Sequence, residues 1–411
     1  MKTRKIAITL CAAGMMASPL AHATNGYFAH GYGMKAKGMA GVGIALPQDS
    51  LAAATNPAGI VMVGNRLDAG VDWFKPNRNT ELTPAVFGPA AGTYSGNGDS
   101  SFLIPEFGYN KSLNTDSAFG VAVYGNGGMN TKYTAPSLIT DGTLFGPGDT
   151  GVDLQQLFIA PTYAMKVNTD NSIGVSLNFA YQIFKAEGLD SFGVFSPGTD
   201  SSSGWGVRIG WTGQVTPSVT LGATYQTKTK MSKFDKYKGL FAEQGGFDIP
   251  ANYGVGVAFK YDDATTLAAD IQTIQYGGVP SIANPVSNIF VLGNPPGSDN
   301  GPGFGWKDMT VFKLGASHKY NNNLEVRAGF STGKQPIPET ETYFNVLAPG
   351  VVENHLTLGA TWTLENNGEV TVGYMHAFKK TVTGANGVLP GTGINLNMYE
   401  DSIGVAYGWK M

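Results

Sequence analysis

From Arg66 to the C-terminus, apolar and polar residues alternate in about fourteen stretches, each of roughly ten residues. The segment 172–183 shows the pattern most plainly. Ile173, Val175, Leu177, Phe179, Tyr181 and Ile183 are apolar or aromatic, and Ser172, Gly174, Ser176, Asn178, Ala180 and Gln182 lie between them. Neighbouring side chains of a strand point to opposite faces, so each stretch predicts one greasy face and one small or polar face. A soluble sandwich also alternates. A tilted strand of roughly ten residues, however, crosses a bilayer, and that length favours a transmembrane barrel.

The spacing predicts strands over 66–75, 101–111, 117–126, 154–167, 172–186, 204–214, 218–228, 251–261, 265–276, 307–319, 323–333, 353–363, 369–379 and 400–411. Their connections alternate between short and long. The short ones carry tight-turn chemistry: Asn114-Thr115-Asp116, Asn168 to Asn171, Thr216-Pro217, Asp262-Asp263, Asn321 to Asn323 and Asn366-Asn367-Gly368. The long ones, near 76–100, 127–153, 187–203, 229–250, 277–306, 334–352 and 380–399, are rich in Gly, Pro, Ser and Asn. Outer-membrane barrels have short periplasmic turns and long external loops. Six short and seven long connections therefore predict an even, all-β, antiparallel barrel in the bacterial outer membrane, with both chain ends in the periplasm. The last strand sets Ile403, Val405, Tyr407, Trp409 and Met411 on one face, a stripe of the kind that barrel-assembly machinery reads during biogenesis.

The N-terminus has the form of a secretory leader over residues 1–23. Lys2, Arg4 and Lys5 precede an apolar run from Ile6 to Ala17, and Ala21-His22-Ala23 offers small residues for cleavage before Thr24. Between Thr24 and Asn65 the chain is Gly- and Ala-rich and lacks strand alternation. Asp49 or Ser50 is positioned to cap a short helix through Leu51–Ala54, which must end near Asn56 because Pro57 disfavours helix in the residue before it. This segment is too apolar for a solvated tail, so residues 24–65 are expected to fold into the barrel of 66–411 as a plug.

Composition narrows the function. Charged residues make up 14% of the chain and aromatics 11%. Loss of the leader takes 27 basic residues to 24 against 30 acidic ones, a formal charge of −6, which points away from nucleic acid. The one cysteine, Cys11, lies in the leader, so thiol and disulfide chemistry are not expected of the mature chain. His30, His318, His355 and His376 are scattered without metal-ligand spacing, and His376 shares a face with Tyr374 and Phe378, as in an interfacial girdle. No metal, cofactor or catalytic group is therefore expected. Glu106, Arg208, Asp270, Glu325, Arg327 and Glu369 lie opposite the apolar stripe; in a plugged lumen they should pair with each other or with the plug.

Several short motifs, taken in order, resemble the FadL family of outer-membrane transporters and its TodX-like branch. They are Thr24-Asn25-Gly26-Tyr27-Phe28, Gly38-Met39-Ala40-Gly41-Val42-Gly43, Asn56-Pro57-Ala58-Gly59, Tyr124 to Asn130 and Gly305-Trp306-Lys307-Asp308. The resemblance covers essentially the whole mature chain. It implies a fourteen-stranded barrel plugged by an N-terminal hatch. It also implies passive uptake of a hydrophobic ligand, a long-chain fatty acid first and an aromatic hydrocarbon as the alternative, with sideways release into the membrane. On this resemblance Thr24 to Phe28 and Asn56, Pro57 and Ala58 would form the ligand-facing hatch, and Gly125, Asn126, Gly127 and Gly128 a kink in the third strand. From the residues alone, those glycines either bulge the strand or simply end it.

After the seventh strand, Met231, Phe234, Tyr237 and Phe241 recur at helical spacing, with Lys233 and Lys236 beside them. An apolar stripe flanked by ammonium groups could capture an acyl chain and its carboxylate; equally, the lysines could grip lipopolysaccharide phosphates or sit in solvent. The rival readings are a water-filled porin for small polar solutes, separated by whether residues 24–65 fill the lumen, and a barrel hydrolase.

Overall fold

The computed structural model describes residues 25–141, 144–365, 367–385 and 392–411. The leader, Thr24, Asn366 of one predicted turn and part of the last long loop lie outside the described residues. Fourteen antiparallel strands follow one another around a closed barrel. They are β1 (Arg66–Leu82), β2 (Phe102–Ser112), β3 (Ser117–Tyr133), β4 (Thr150–Lys166), β5 (Asn171–Glu187), β6 (Asp200–Thr216) and β7 (Val219–Gln226), then β8 (Asn252–Lys260), β9 (Thr265–Ile274), β10 (Met309–Lys319), β11 (Leu324–Gly333), β12 (Asn354–Thr363), β13 (Gly368–Val382) and β14 (Ile394–Lys410). Closure is made by β14 on β1, from Arg66 opposite Lys410 to Leu82 opposite Ile394. Two short strands, Gly92–Ser95 and Lys230–Met231, extend the outer rim.

A closed sheet pairs backbone groups strand to strand, as a bilayer demands. The side-chain alternation sorts as the sequence predicts. Along β5, Ile173, Val175, Phe179 and Tyr181 are exposed, whereas Ser172, Ser176, Asn178 and Gln182 are buried in the lumen. Among the described residues no helix is long and apolar enough to cross a membrane. Several strands are longer than their patterns suggest, and three of the extensions stand out. β1 continues past Pro76 to Leu82, β14 starts at Ile394 rather than 400, and β3 runs on to Tyr133 through its glycines. In each case the extension rises above the apolar band, where the rim no longer needs greasy outward residues and the alternation fades.

Residues 25–63 lie against the inward face of the wall. They contain a turn of helix, Met34–Lys37, and two 3₁₀ turns, Ser50–Ala54 and Pro57–Met62. Asp49 caps the first 3₁₀ turn through Leu51 N–H at 2.9 Å. The wall makes room with glycine. A side chain at Gly174 or Gly210 would strike Pro57 or Asn56, and one at Gly315 or Gly329 would strike Met39. The stretch Lys228 to Phe241, by contrast, is not a helix. It contains the short strand and one 3₁₀ turn, Asp235–Tyr237, because its apolar side chains follow a folded loop around a shared core.

Candidate functional site

Three features define the site: a seam in the wall and apolar cavities in the outer half of the barrel, and the contacts that anchor the N-terminal segment below them. The first is a seam in the wall. β2 pairs with β3 only from Ser112 opposite Ala118 to Glu106 opposite Tyr124. Above that, Phe102 to Pro105 pair with β1 alone, while Gly125 to Thr131 have β4 as their only partner strand in the wall. Pro105 has no N–H to donate. Asn126 is the extra residue of a bulge, since Gly125 faces Leu157 and Gly127 faces Gln156. The third strand therefore carries a bulge within its length and continues past Gly125 to Tyr133. The seam closes again at the rim, where Gly98 N–H donates to Lys132 C=O and Lys132 N–H to Gly96 C=O, each at 3.0 Å.

The N-terminal residues line this seam from within. Gly128 N–H donates to Tyr27 C=O at 3.0 Å and Ala29 N–H to Asn126 C=O at 2.9 Å. Gly127 is needed there, because any side chain would run into the Tyr27 carbonyl. The ring of Tyr27 packs against Tyr276 at 5.4 Å and Trp306 at 5.9 Å, and Tyr276 donates to Asn25 C=O. Burial pushes the Tyr27 and Tyr276 hydroxyls well above their ordinary range, so both stay protonated.

The second feature is an apolar cavity among the outer loops, ≈ 50 Å³, walled chiefly by Val152, Phe184, Phe192, Leu240, Phe241 and Phe344. A smaller one lies deeper, ≈ 20 Å³, between Gly26, Phe74, Arg78, Met129, Trp306 and Met398. Loop residues Phe304 and Leu347 of the outer cavity adjoin Trp306 and Ala348 of the inner one. A larger concavity, ≈ 560 Å³, is bounded by outward residues such as Ile173, Ile209, Trp211 and Tyr225; it faces lipid and is remote from the seam.

Of the predicted capture residues, Phe234, Tyr237 and Phe241 are buried together around Phe184, with Phe241 4.7 Å from that ring. Met231 packs against their edge. Lys233 and Lys236 are exposed and turned away. Lys236 Nζ donates to Thr199 C=O at 2.7 Å and Lys233 Nζ to Gln244 Oε1 at 3.4 Å. Both cavities are built largely from residues the strand pattern leaves without a role. Arg78 sits on the extension of β1, and its guanidinium is spent on Asn97, on Asn130 Oδ1 at 3.0 Å and on the Asn130 and Asp99 carbonyls.

The third feature holds the N-terminal segment in place. Asn56 Nδ2 donates to Ile44 C=O at 2.7 Å and Trp211 C=O at 3.0 Å, while its Oδ1 accepts from Ala58 N–H at 3.1 Å. The expected lumen charges find partners. Lys35 meets Glu369 at 2.7 Å, and Lys37 meets Asp72 at 3.0 Å and Glu106 at 3.4 Å. Asp270 accepts from Gly43 and Ile44 N–H, Arg208 donates to Thr55 C=O, and Arg327 bridges Glu325 and Gln48. Burial opposes the charge on Lys37, but Asp72 and Glu106 outweigh it and raise its pKa. Asp49, buried and beside the Asp68 carboxylate, is pushed up to about 7.

Sequence spacing gave no pairing of Ser with His, yet Ser331 Oγ lies 3.1 Å from His30 Nε2 and 3.2 Å from His355 Nδ1. All three are buried between segment and wall, where they latch one to the other. His376 contacts Asp401 and packs edge-on to Phe378, on the outward face that it shares with Tyr374. Among the described residues no three metal-ligating side chains converge.

Comparison with known proteins agrees with this architecture. Solved structures that resemble the chain include the Pseudomonas putida toluene transporter TodX, with a TM-score of 0.70 at 18% identity over 94% of this chain and 100% of that one. A Pseudomonas aeruginosa FadL homologue gives 0.71 at 16% identity over 94% and 99%. The Ralstonia pickettii toluene transporter TbuX gives 0.63 at 19% over 93% and 99%. No curated protein matches. The model of the outer-membrane transport protein family OMPP1/FadL/TodX matches residues 14–401, and this chain belongs to that family.

Proposed function

We propose that this protein takes a small hydrophobic molecule from the outer surface, without energy input, and releases it sideways into the outer membrane through the seam between β2 and β3. The observation that carries this reading is the unpaired stretch of Phe102 to Pro105 opposite Gly125 to Thr131, with Tyr27 and Phe28 behind it. An axial route would have to dislodge Asn56-Pro57-Ala58 and the buried ion pairs. In this reading residues 24–65 act as a fixed hatch, the outer cavity as the landing site, and the inner cavity as the step before the seam. Apolar burial, worth about 25 cal/mol per Å², draws the ligand inward and lets lipid take it up.

The outer cavity supports an uncharged ligand. Its one polar side chain is Ser281, whose hydroxyl is already given to the Ala242 and Gly246 carbonyls, and neither Lys233 nor Lys236 borders it. The toluene transporters among the similar structures fit that class. A fatty acid is the second reading: the Arg78 guanidinium borders the inner cavity, and a carboxylate there would have to compete with Asn97, Asn130 and Asp99 for its donors. Equilibrium binding of toluene to the detergent-purified protein, with a long-chain fatty acid as competitor, separates them. Saturable toluene binding that the acid does not displace supports the hydrocarbon. Displacement at low acid concentration supports the carboxylate. Binding of neither counts against the transport reading.

A further inference from the structure

The outer cavity and the seam are joined by a chain of side-chain amides. At the bulge of β3, Asn126 Oδ1 accepts from Tyr32 O–H at 3.1 Å, and Asn126 Nδ2 donates to Gln156 Oε1 at 3.1 Å. Gln156 Nε2 donates to Gln182 Oε1 at 3.0 Å, and Gln182 Nε2 donates to Phe247 C=O at 2.9 Å. Gln156 and Gln182 stand opposite each other on β4 and β5. Asn126, Gln156 and Gln182 are all fully buried. At its far end, the Phe247 ring packs tilted against Phe241 at 4.8 Å, and Phe241 and Phe184 both line the outer cavity.

Every amide in this line accepts from the group before it and donates to the group after it, and all three are shielded from water. A buried amide that loses its partner carries its full desolvation cost, and low dielectric strengthens each link in such a chain. A shift at one end therefore cannot be absorbed locally. The cavity is narrow, so a ligand entering it has to move Phe241, and Phe247 with it. The Phe247 carbonyl is the last acceptor of the line, and the Asn126 amide at the other end fixes the bulge that makes the seam.

We propose that Asn126, Gln156 and Gln182 are positioning residues that couple occupancy of the outer cavity to the opening of the seam. None of them touches the ligand. With the cavity empty the line is complete, and it holds the bulge against Tyr27 and Phe28. Displacement of Phe247 breaks the line at Gln182 and frees Asn126, so the β3 edge yields only behind a captured ligand. The inference rests on the proposed lateral transport of a hydrophobic molecule.

The test uses the full-length protein with toluene as the probe. Gln182→Met keeps the length of the side chain and removes the amide. Its binding of toluene in detergent should stay within about twofold of the parent, while uptake into proteoliposomes changes about tenfold, the scale of one buried hydrogen bond. The double variant Gln182→Met with Asn126→Ala should change uptake no further than the larger single effect. Unchanged uptake, or binding and uptake falling in parallel, overturns the coupling. Because a variant can misfold, amide hydrogen exchange of residues 125–131 in the unmodified protein gives an independent readout: exchange should rise on saturation with toluene. No change there overturns the coupling even if toluene binds. Failure of the parent to bind or pass toluene counts instead against the transport reading itself.

Discussion

The two halves of the lumen are built from opposite chemistry. Towards the periplasm, the N-terminal segment is held by charge and backbone: Lys35, Lys37, Arg66 and Arg208 against Glu369, Asp72, Glu106 and Thr55, with glycines cut away to admit it. Towards the outside, the loops close over Phe184, Phe241, Phe247, Tyr276 and Trp306, where the contacts are ring on ring. Ion pairs and hydrogen bonds are directional and costly to break half-way. Apolar packing is not directional and lets rings shift past one another. The first kind of interior suits a part that stays fixed, and the second a part that must admit a guest. The seam lies where the two meet.

The largest effect should come from Glu369, which serves Lys35, Arg66 and Lys410 at once. Glu369→Ala should cost about 3–5 kcal/mol of stability to urea, as expected for a buried pair that loses one partner. Removing Lys233 or Lys236 from the outer loops should cost under about 1 kcal/mol. Equal losses would erase the contrast between the halves.

Gly210→Val should come next, at about 1–3 kcal/mol of overpacking, because its side chain would meet Asn56. It should show as faster amide exchange around residues 56–60. Gly239→Ala in an outer loop, with open space around it, should leave exchange unchanged. Smaller again, Phe241→Leu should weaken toluene binding by up to about tenfold through lost ring contacts, yet leave the exchange of residues 30–60 alone. A parallel loss of both would mean that the outer cluster is structural.

The smallest effect is a pH dependence at the latch. Burial, with His355, Lys313 and Lys37 nearby, holds the His30 pKa well below its usual 6.5. A displaced segment therefore binds a proton that the seated one does not. The latch contributes fully above about pH 6.5 and progressively less as pH falls towards the depressed value. Protection of residues 25–45 should fall with acid in the parent, and less steeply in His30→Gln, which keeps a partner for Ser331 without titrating.

Strand number, turn placement and the pairing of lumen charges were legible in the sequence because a bilayer imposes one length and one alternation on every crossing. The cavities were less legible. Arg78 lies beyond Lys75-Pro76, where the pattern breaks although the strand continues, and Met398 of β14 is hidden in the same way. The spacing of Phe234, Tyr237 and Phe241 found a true cluster but the wrong secondary structure, since three rings converging on Phe184 from a folded loop mimic a helical stripe. The amide line left no mark on the sequence. Asn126, Gln156 and Gln182 are ordinary inward polar residues until strand register sets them side by side.

The most direct test of lateral release is photolabelling in liposomes with a toluene analogue that carries a diazirine, followed by mapping of the labelled peptides. The account predicts label on Phe102 to Pro105 and Gly127 to Thr131, and on lipid beside them. Label concentrated on Pro57 to Val63 and the periplasmic turns, with the seam unmarked, would show that the ligand passes down the axis and would contradict it.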